Sequence, residues 1–188
     1  SGSMAGEKMT NARQALRAWI ERLNPDDTFN ILRFSTDVEQ FSESSLSASP
    51  DNRARALRFV NSFEASGGTA IAPALTQALA IPARRGAPRI VVFLTDGMPT
   101  VGETDTRRII EMVSQRNASA GQIFAFGLGD DVNTTFLDLL AQQNRGGADY
   151  AGSGAEMSSL LTSFYNMIAF PVLADLRLAL RGADAYDI

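Results

Sequence analysis

Apolar side chains recur at Ala12, Leu16, Trp19, Ile20 and Leu23, the spacing of one face of an α-helix, which predicts a helix over residues 6–23. Asn24-Pro25-Asp26-Asp27 breaks it. Thr28 to Phe34 and Val38 to Phe41 read as two strands close enough in sequence to pair antiparallel at a sheet edge. Beyond a Ser-rich loop, Asp51 is placed to cap a second helix with Ala56, Leu57, Val60 and Phe63 on its buried face and an end near Ser66-Gly67-Gly68. A third helix is predicted over 72–83, with Pro73 in its first turn.

Arg89 to Thr95 is a nearly continuous β-branched and aromatic run, the pattern of a central strand covered on both faces of a parallel sheet. The pattern then predicts a helix over 105–119, a strand over 122–128, a helix over 133–144, a short strand over 149–151 and a helix over 156–168. Met157, Leu160, Leu161, Phe164 and Ile168 lie on one side of that last helix. Strands alternating with amphipathic helices define an α/β fold with a doubly wound, mostly parallel sheet flanked by helices. Ligands of such sheets bind beyond the carboxyl ends of the strands. That rule directs attention to Thr95-Asp96-Gly97 and to Ser1-Gly2-Ser3 ahead of the first helix. Past Pro171, Leu176, Leu178 and Leu180 alternate with polar or small residues, so the expected organisation is one domain over 1–170 and the start of a β segment over 171–188.

Composition narrows the chemistry. The chain of 188 residues has no His and no Cys, which excludes Ser-His-Asp and Cys-His catalysis and removes the preferred ligands of structural zinc. Only hard, oxygen-seeking cations remain as plausible metals. The balance of 17 basic and 21 acidic residues, with no basic run, gives no electrostatic case for nucleic acid or an anionic membrane. No stretch approaches the roughly 20 apolar residues of a spanning helix.

Three loops offer oxygen ligands at strand ends: Ser1-Gly2-Ser3, Gly67-Gly68-Thr69 and Thr95-Asp96-Gly97. Each alone has a plainer account. Ser-Gly-Ser is a common expression-tag scar, the glycine pair can stop a helix with Thr69 capping the next, and Asp-Gly is an ordinary turn. Taken in order, with Met4, Gly6-x-Lys8, Ile71, Leu94 and Pro99-Thr100 around them, they resemble the metal-ion-dependent adhesion site of von Willebrand factor type A domains. Phe126-Gly127-Leu128-Gly129 with Asp131-Val132-Asn133 is similar to a later strand and loop of that family.

The resemblance implies that Ser1, Ser3, Thr69 and Asp96 ligate Mg²⁺, Mn²⁺ or Ca²⁺, and that the cation bridges to a carboxylate presented by a protein partner. The Asp that opens the family's Asp-x-Ser-x-Ser loop has no counterpart, because Ser1 already occupies that loop's third position. By the same resemblance the family's first central strand is lacking, which leaves neighbouring strands an unpaired edge. The expectation for these residues is therefore weak or absent metal binding, with self-association through the exposed edge as an option.

Within the superfamily the resemblance is closest to the inter-alpha-trypsin-inhibitor heavy-chain type, where a type A domain is followed by a segment similar to Phe170-Pro171-Val172-Leu173-Ala174-Asp175-Leu176. It implies a non-enzymatic binding protein at an extracellular, periplasmic or cell-surface location. One alternative is an intracellular adaptor of an AAA-type ATPase or chelatase. Another is a metal-dependent hydrolase, which the single convincing acidic ligand and the lack of a His base disfavour. Asn117-Ala118-Ser119 and Asn133-Thr134-Thr135 also fit glycosylation sequons.

Overall fold

The structure, a computed structural model, describes residues 2–82, 84, 86–118 and 121–169. Ser1 and the β segment expected over 171–188 lie outside the described residues.

Helix α1, Glu7–Arg22, starts after Gly6 turns the chain with φ of 73°, and it buries Ala12, Ala15 and Ile20. The single strand expected over 28–34 is divided into β1, Thr28–Phe29, and β2, Leu32–Phe34. Asn30 causes the break: its side chain accepts from the Ile31 N–H at 2.8 Å and donates to the Ser42 carbonyl at 2.7 Å, competing with the ladder. β3, Val38–Gln40, pairs antiparallel with β2 as the sequence predicts. The Ser-rich segment, read as loop, contains β4, Leu46–Ser47, which pairs antiparallel with β1 and is too short to carry a periodicity.

Helix α2, Pro50–Asn61, is capped by Ser49 and not by Asp51. The Ser49 hydroxyl accepts from the Asn52 N–H at 3.3 Å, and Pro50 fills the first helical position, where no N–H is needed. The helix also ends earlier than Ser66-Gly67-Gly68. At Ser62 the backbone N–H already turns back onto the Arg58 and Phe59 carbonyls at 3.2 and 3.1 Å. Its predicted inner face holds, with Ala56, Val60 and Phe63 buried.

Helix α3, Ile71–Ala80, leads to the parallel sheet of β5, Ile90–Thr95, β6, Gln122–Leu128, and β7, Ala148–Ala151, in that spatial order. Helices α4, Thr106–Arg116, α5, Thr134–Gln143, and α6, Gly154–Ala169, alternate with them. Leu75 of α3, Ile109 and Val113 of α4 and Leu140 of α5 pack with Phe93 and Ile123 of the sheet. A second core joins Ala15 of α1 and Met157, Leu161 and Phe164 of α6 to Phe126 and Leu128 of β6. The Trp19 indole fixes α1 to α6 by donating to the Leu161 carbonyl at 2.8 Å while stacking on Phe164 at 5.8 Å. Helices thus cover both sheet faces, as the alternating pattern predicts.

β5 departs from the expectation of full cover. Ile90, Val91, Val92 and Leu94 are only partly buried. The reason is lateral: β5 pairs with β6, and among the described residues its other edge has no ladder partner. That edge borders an apolar cavity of about 590 Å³ whose lining includes Phe29, Ile31 and Phe34 from the β1–β2 segment and Trp19 and Ile20 from α1.

Candidate functional site

Asp96 follows β5 directly and is only 2% exposed. A carboxylate buried to that degree needs donors or a countercharge. Ser3, in the 3₁₀ turn Gly2–Met4 that precedes α1, donates its hydroxyl to Asp96 Oδ1 at 2.7 Å. The Lys8 ammonium, from the first turn of α1, lies 3.5 Å from Oδ2. The Asp96 turn is held from within by the Thr95 hydroxyl, which accepts from the Gly97 N–H at 3.4 Å and donates to the Gly97 carbonyl at 3.2 Å.

Thr69 is brought to the same end of the sheet by a junction of loops. The Gly2 N–H donates to the Gly67 carbonyl at 3.0 Å, tying the Ser3 turn to the Thr69 loop. Thr69 itself is buried: its N–H donates to the Thr100 hydroxyl at 2.8 Å, and its carbonyl accepts from the Thr100 N–H at 3.0 Å. The double glycine answers to this crowding and not to helix termination. Gly67 has φ of 68° and a Cβ there would sit 2.5 Å from Thr36 Oγ1, while one at Gly68 would sit 2.5 Å from Val101 Cγ2. Thr69 is not a helix cap either, since α3 begins from Ala70 with no side-chain capping bond.

Of the four residues singled out in the sequence, Ser3 and Asp96 touch, Thr69 stands on a loop bonded to the Ser3 turn, and Ser1 lies outside the described residues. Lys8 and Thr100 were not among them. Lys8 was visible only as part of the Gly6-x-Lys8 run, and Thr100 acts through a loop contact that no spacing rule reveals. The donor set is hydroxyl oxygens with one carboxylate, which suits hard cations. Among the described residues no three His, Cys, Asp or Glu side chains gather to hold a metal, so an ion here would keep much of its charge.

Neither sequon points to this site. Asn117 is 6% exposed and its amide is engaged with the Gly121 backbone and with Asn144, an arrangement that uses it as a structural residue. Asn133 caps α5 by accepting from the Phe136 N–H at 2.9 Å.

A sheet wound by helices on both faces, with the Ser3 turn, the Thr69 loop and Asp96 near the carboxyl end of β5, defines a doubly wound α/β domain. Residues 1–150 match the family model described as von Willebrand factor type A domain. The chain belongs to the von Willebrand factor type A family. It is 35% identical over 181 residues to inter-alpha-trypsin inhibitor heavy chain H4 of Homo sapiens, which covers 92% of this chain and 20% of that protein. The chain spans about a fifth of the length of the curated relatives it matches. Among solved structures, a von Willebrand factor type A protein from Catenulispora acidiphila superposes with a TM-score of 0.80 at 24% identity, over 88% of this chain and 39% of that one. Proximal thread matrix protein 1 from the mussel byssus, with a zinc-occupied MIDAS motif, superposes with a TM-score of 0.66 at 17% identity, over 86% of this chain and 40% of that one. The structural likenesses establish the fold, which is the α/β arrangement the sequence predicts.

Proposed function

We propose that the chain is a protein-binding module that engages partners through a divalent cation at the carboxyl end of β5. The observation that carries the reading is the Ser3–Asp96 contact together with the Gly2–Gly67 bond, which draws the Thr69 loop to the same turn. In this reading Ser1, Ser3 and Thr69 supply neutral hydroxyls and Asp96 the carboxylate. The cation is Mg²⁺, Mn²⁺ or Ca²⁺, and it supplies a positive centre for a partner's acidic side chain. Support comes from the buried place of Asp96 and from the backbone bond that ties the turn carrying Ser3 to the loop carrying Thr69.

The zinc-occupied motif in the mussel protein supports cation binding in this fold. Similarity to the inter-alpha-trypsin inhibitor heavy chains favours a non-enzymatic adhesion role at the cell surface or in secreted material over the adaptor reading. The only carboxylate in the proposed set is Asp96, so the affinity of these residues is weak, on the order of 0.1–1 mM.

Titration with Mn²⁺, followed by the electron paramagnetic resonance signal of the free ion, tests this. Uptake of one ion in that range, reduced at least tenfold by Thr69→Ala and by Asp96→Asn, supports the site. Uptake that neither substitution changes contradicts it.

A further inference from the structure

We infer that Lys8 is a tethered cation that competes with the divalent ion for Asp96 and so sets the affinity of the site; this rests on the cation-binding reading above. Among the described residues, the two oxygens of Asp96 face two different neighbours. Ser3 donates to Oδ1 at 2.7 Å, and the Lys8 ammonium faces Oδ2 at 3.5 Å.

The lysine side chain remains 33% exposed whereas that of Asp96 is 1% exposed, so the ammonium sits at the boundary between water and a buried carboxylate. Room for it is left on the other side. Gly129, which follows β6 with φ of 90°, leaves its backbone open beneath the lysine, and a Cβ there would come within 3.1 Å of the Lys8 nitrogen. Helix α1 anchors the stem, because Ala12 and Ala15 are packed in the core and Trp19 is bonded to α6.

A divalent ion bound by Asp96 would share that carboxylate with a positive charge a few ångströms away. The two repel, and because the carboxylate is out of bulk water the repulsion is only partly screened. Binding therefore requires the ammonium to swing outward, which its exposed flank permits. The carboxylate keeps a countercharge at every stage, and the cost of moving the ammonium is subtracted from the affinity for the metal. Arg would keep the charge; Met, of similar length, would keep the stem and remove it.

The test is Mn²⁺ titration of the chain, Lys8→Met and Lys8→Arg by the free-ion resonance signal. Thermal unfolding in EDTA confirms that each is folded, with Lys8→Gln replacing Lys8→Met should that variant not fold. The expected result is affinity tighter by on the order of tenfold in Lys8→Met, and near the parent value in Lys8→Arg. Equal or weaker affinity in Lys8→Met, or equal tightening in Lys8→Arg, overturns the inference and leaves the cation reading intact. No uptake by any of the proteins through millimolar Mn²⁺ overturns both.

Discussion

Ser3 and Asp96, 93 positions apart in sequence, are joined by a hydroxyl-to-carboxylate hydrogen bond of 2.7 Å. The bond ties the turn before α1 to the end of β5, so atoms of the candidate site also add to the docking of that turn on the sheet. Residues with such double duty link affinity to stability.

Ser3→Ala removes a donor from the Asp96 carboxylate. Because the serine is exposed while the carboxylate is buried, the expected cost is modest, about 1 kcal/mol in urea unfolding. An unchanged midpoint would show that the bond contributes nothing to the fold.

Asn117→Ala should destabilise more. Its amide donates to the Gly121 carbonyl at 2.7 Å and to Asn144 Oδ1 at 2.8 Å, and accepts from the Gly121 N–H at 2.8 Å, all in the interior. Truncation strands three buried polar groups, the Gly121 carbonyl, the Gly121 N–H and Asn144 Oδ1, and should cost ~2–4 kcal/mol by chemical denaturation. A loss well below 1 kcal/mol would mean that water replaces the amide.

The edge of β5 that has no ladder partner among the described residues has a signature in hydrogen exchange. The Gln122 N–H donates to the Arg89 carbonyl at 2.9 Å, so the alternation of a parallel ladder turns Val91 and Phe93 toward β6 and Ile90, Val92 and Leu94 toward the cavity. Amides of the second set are expected to exchange at least about tenfold faster by NMR than those of the first. Uniform protection along β5 would show that the edge is covered in solution.

Alkaline pH should weaken the fold through two phenols. Burial first, and then the hydrogen bond and charge of Asp138, push Tyr150 well above the ordinary tyrosine range. Burial and the charge of Asp27 raise Tyr165, whose hydroxyl donates to the Arg22 carbonyl. A raised folded-state value means that the unfolded chain loses its proton first. Stability is therefore full below about pH 10 and declines as pH rises beyond it. Urea unfolding between about pH 8 and 11 should show this decline, flattened in Tyr150→Phe; equal slopes in both proteins would refute the assignment.

Much of the architecture was legible because it is written in local periodicity. The β6 boundaries, the inner faces of α2 and α6 and the order of alternating elements follow from side-chain spacing alone. What was not legible depends on partners distant in sequence. The two-residue β4 exists only because β1 lies beside it, and the partial exposure of β5 goes with an edge that has no ladder partner among the described residues, which its own β-rich sequence cannot report. The Gly67-Gly68 pair looked like a helix stop because that is its commonest local meaning, whereas its cause is the approach of Thr36 and Val101 from two other loops. For the candidate site, the types of oxygen donor were readable, but the Lys8 countercharge emerged only when α1 was docked beside β5.

The central claim is that Ser3, Thr69 and Asp96 share one divalent cation. Anomalous diffraction from crystals of the chain soaked in Mn²⁺ tests it most directly. The account predicts a single strong peak bounded by those three side chains at the carboxyl end of β5. A peak elsewhere, or none there at saturating Mn²⁺, would contradict it.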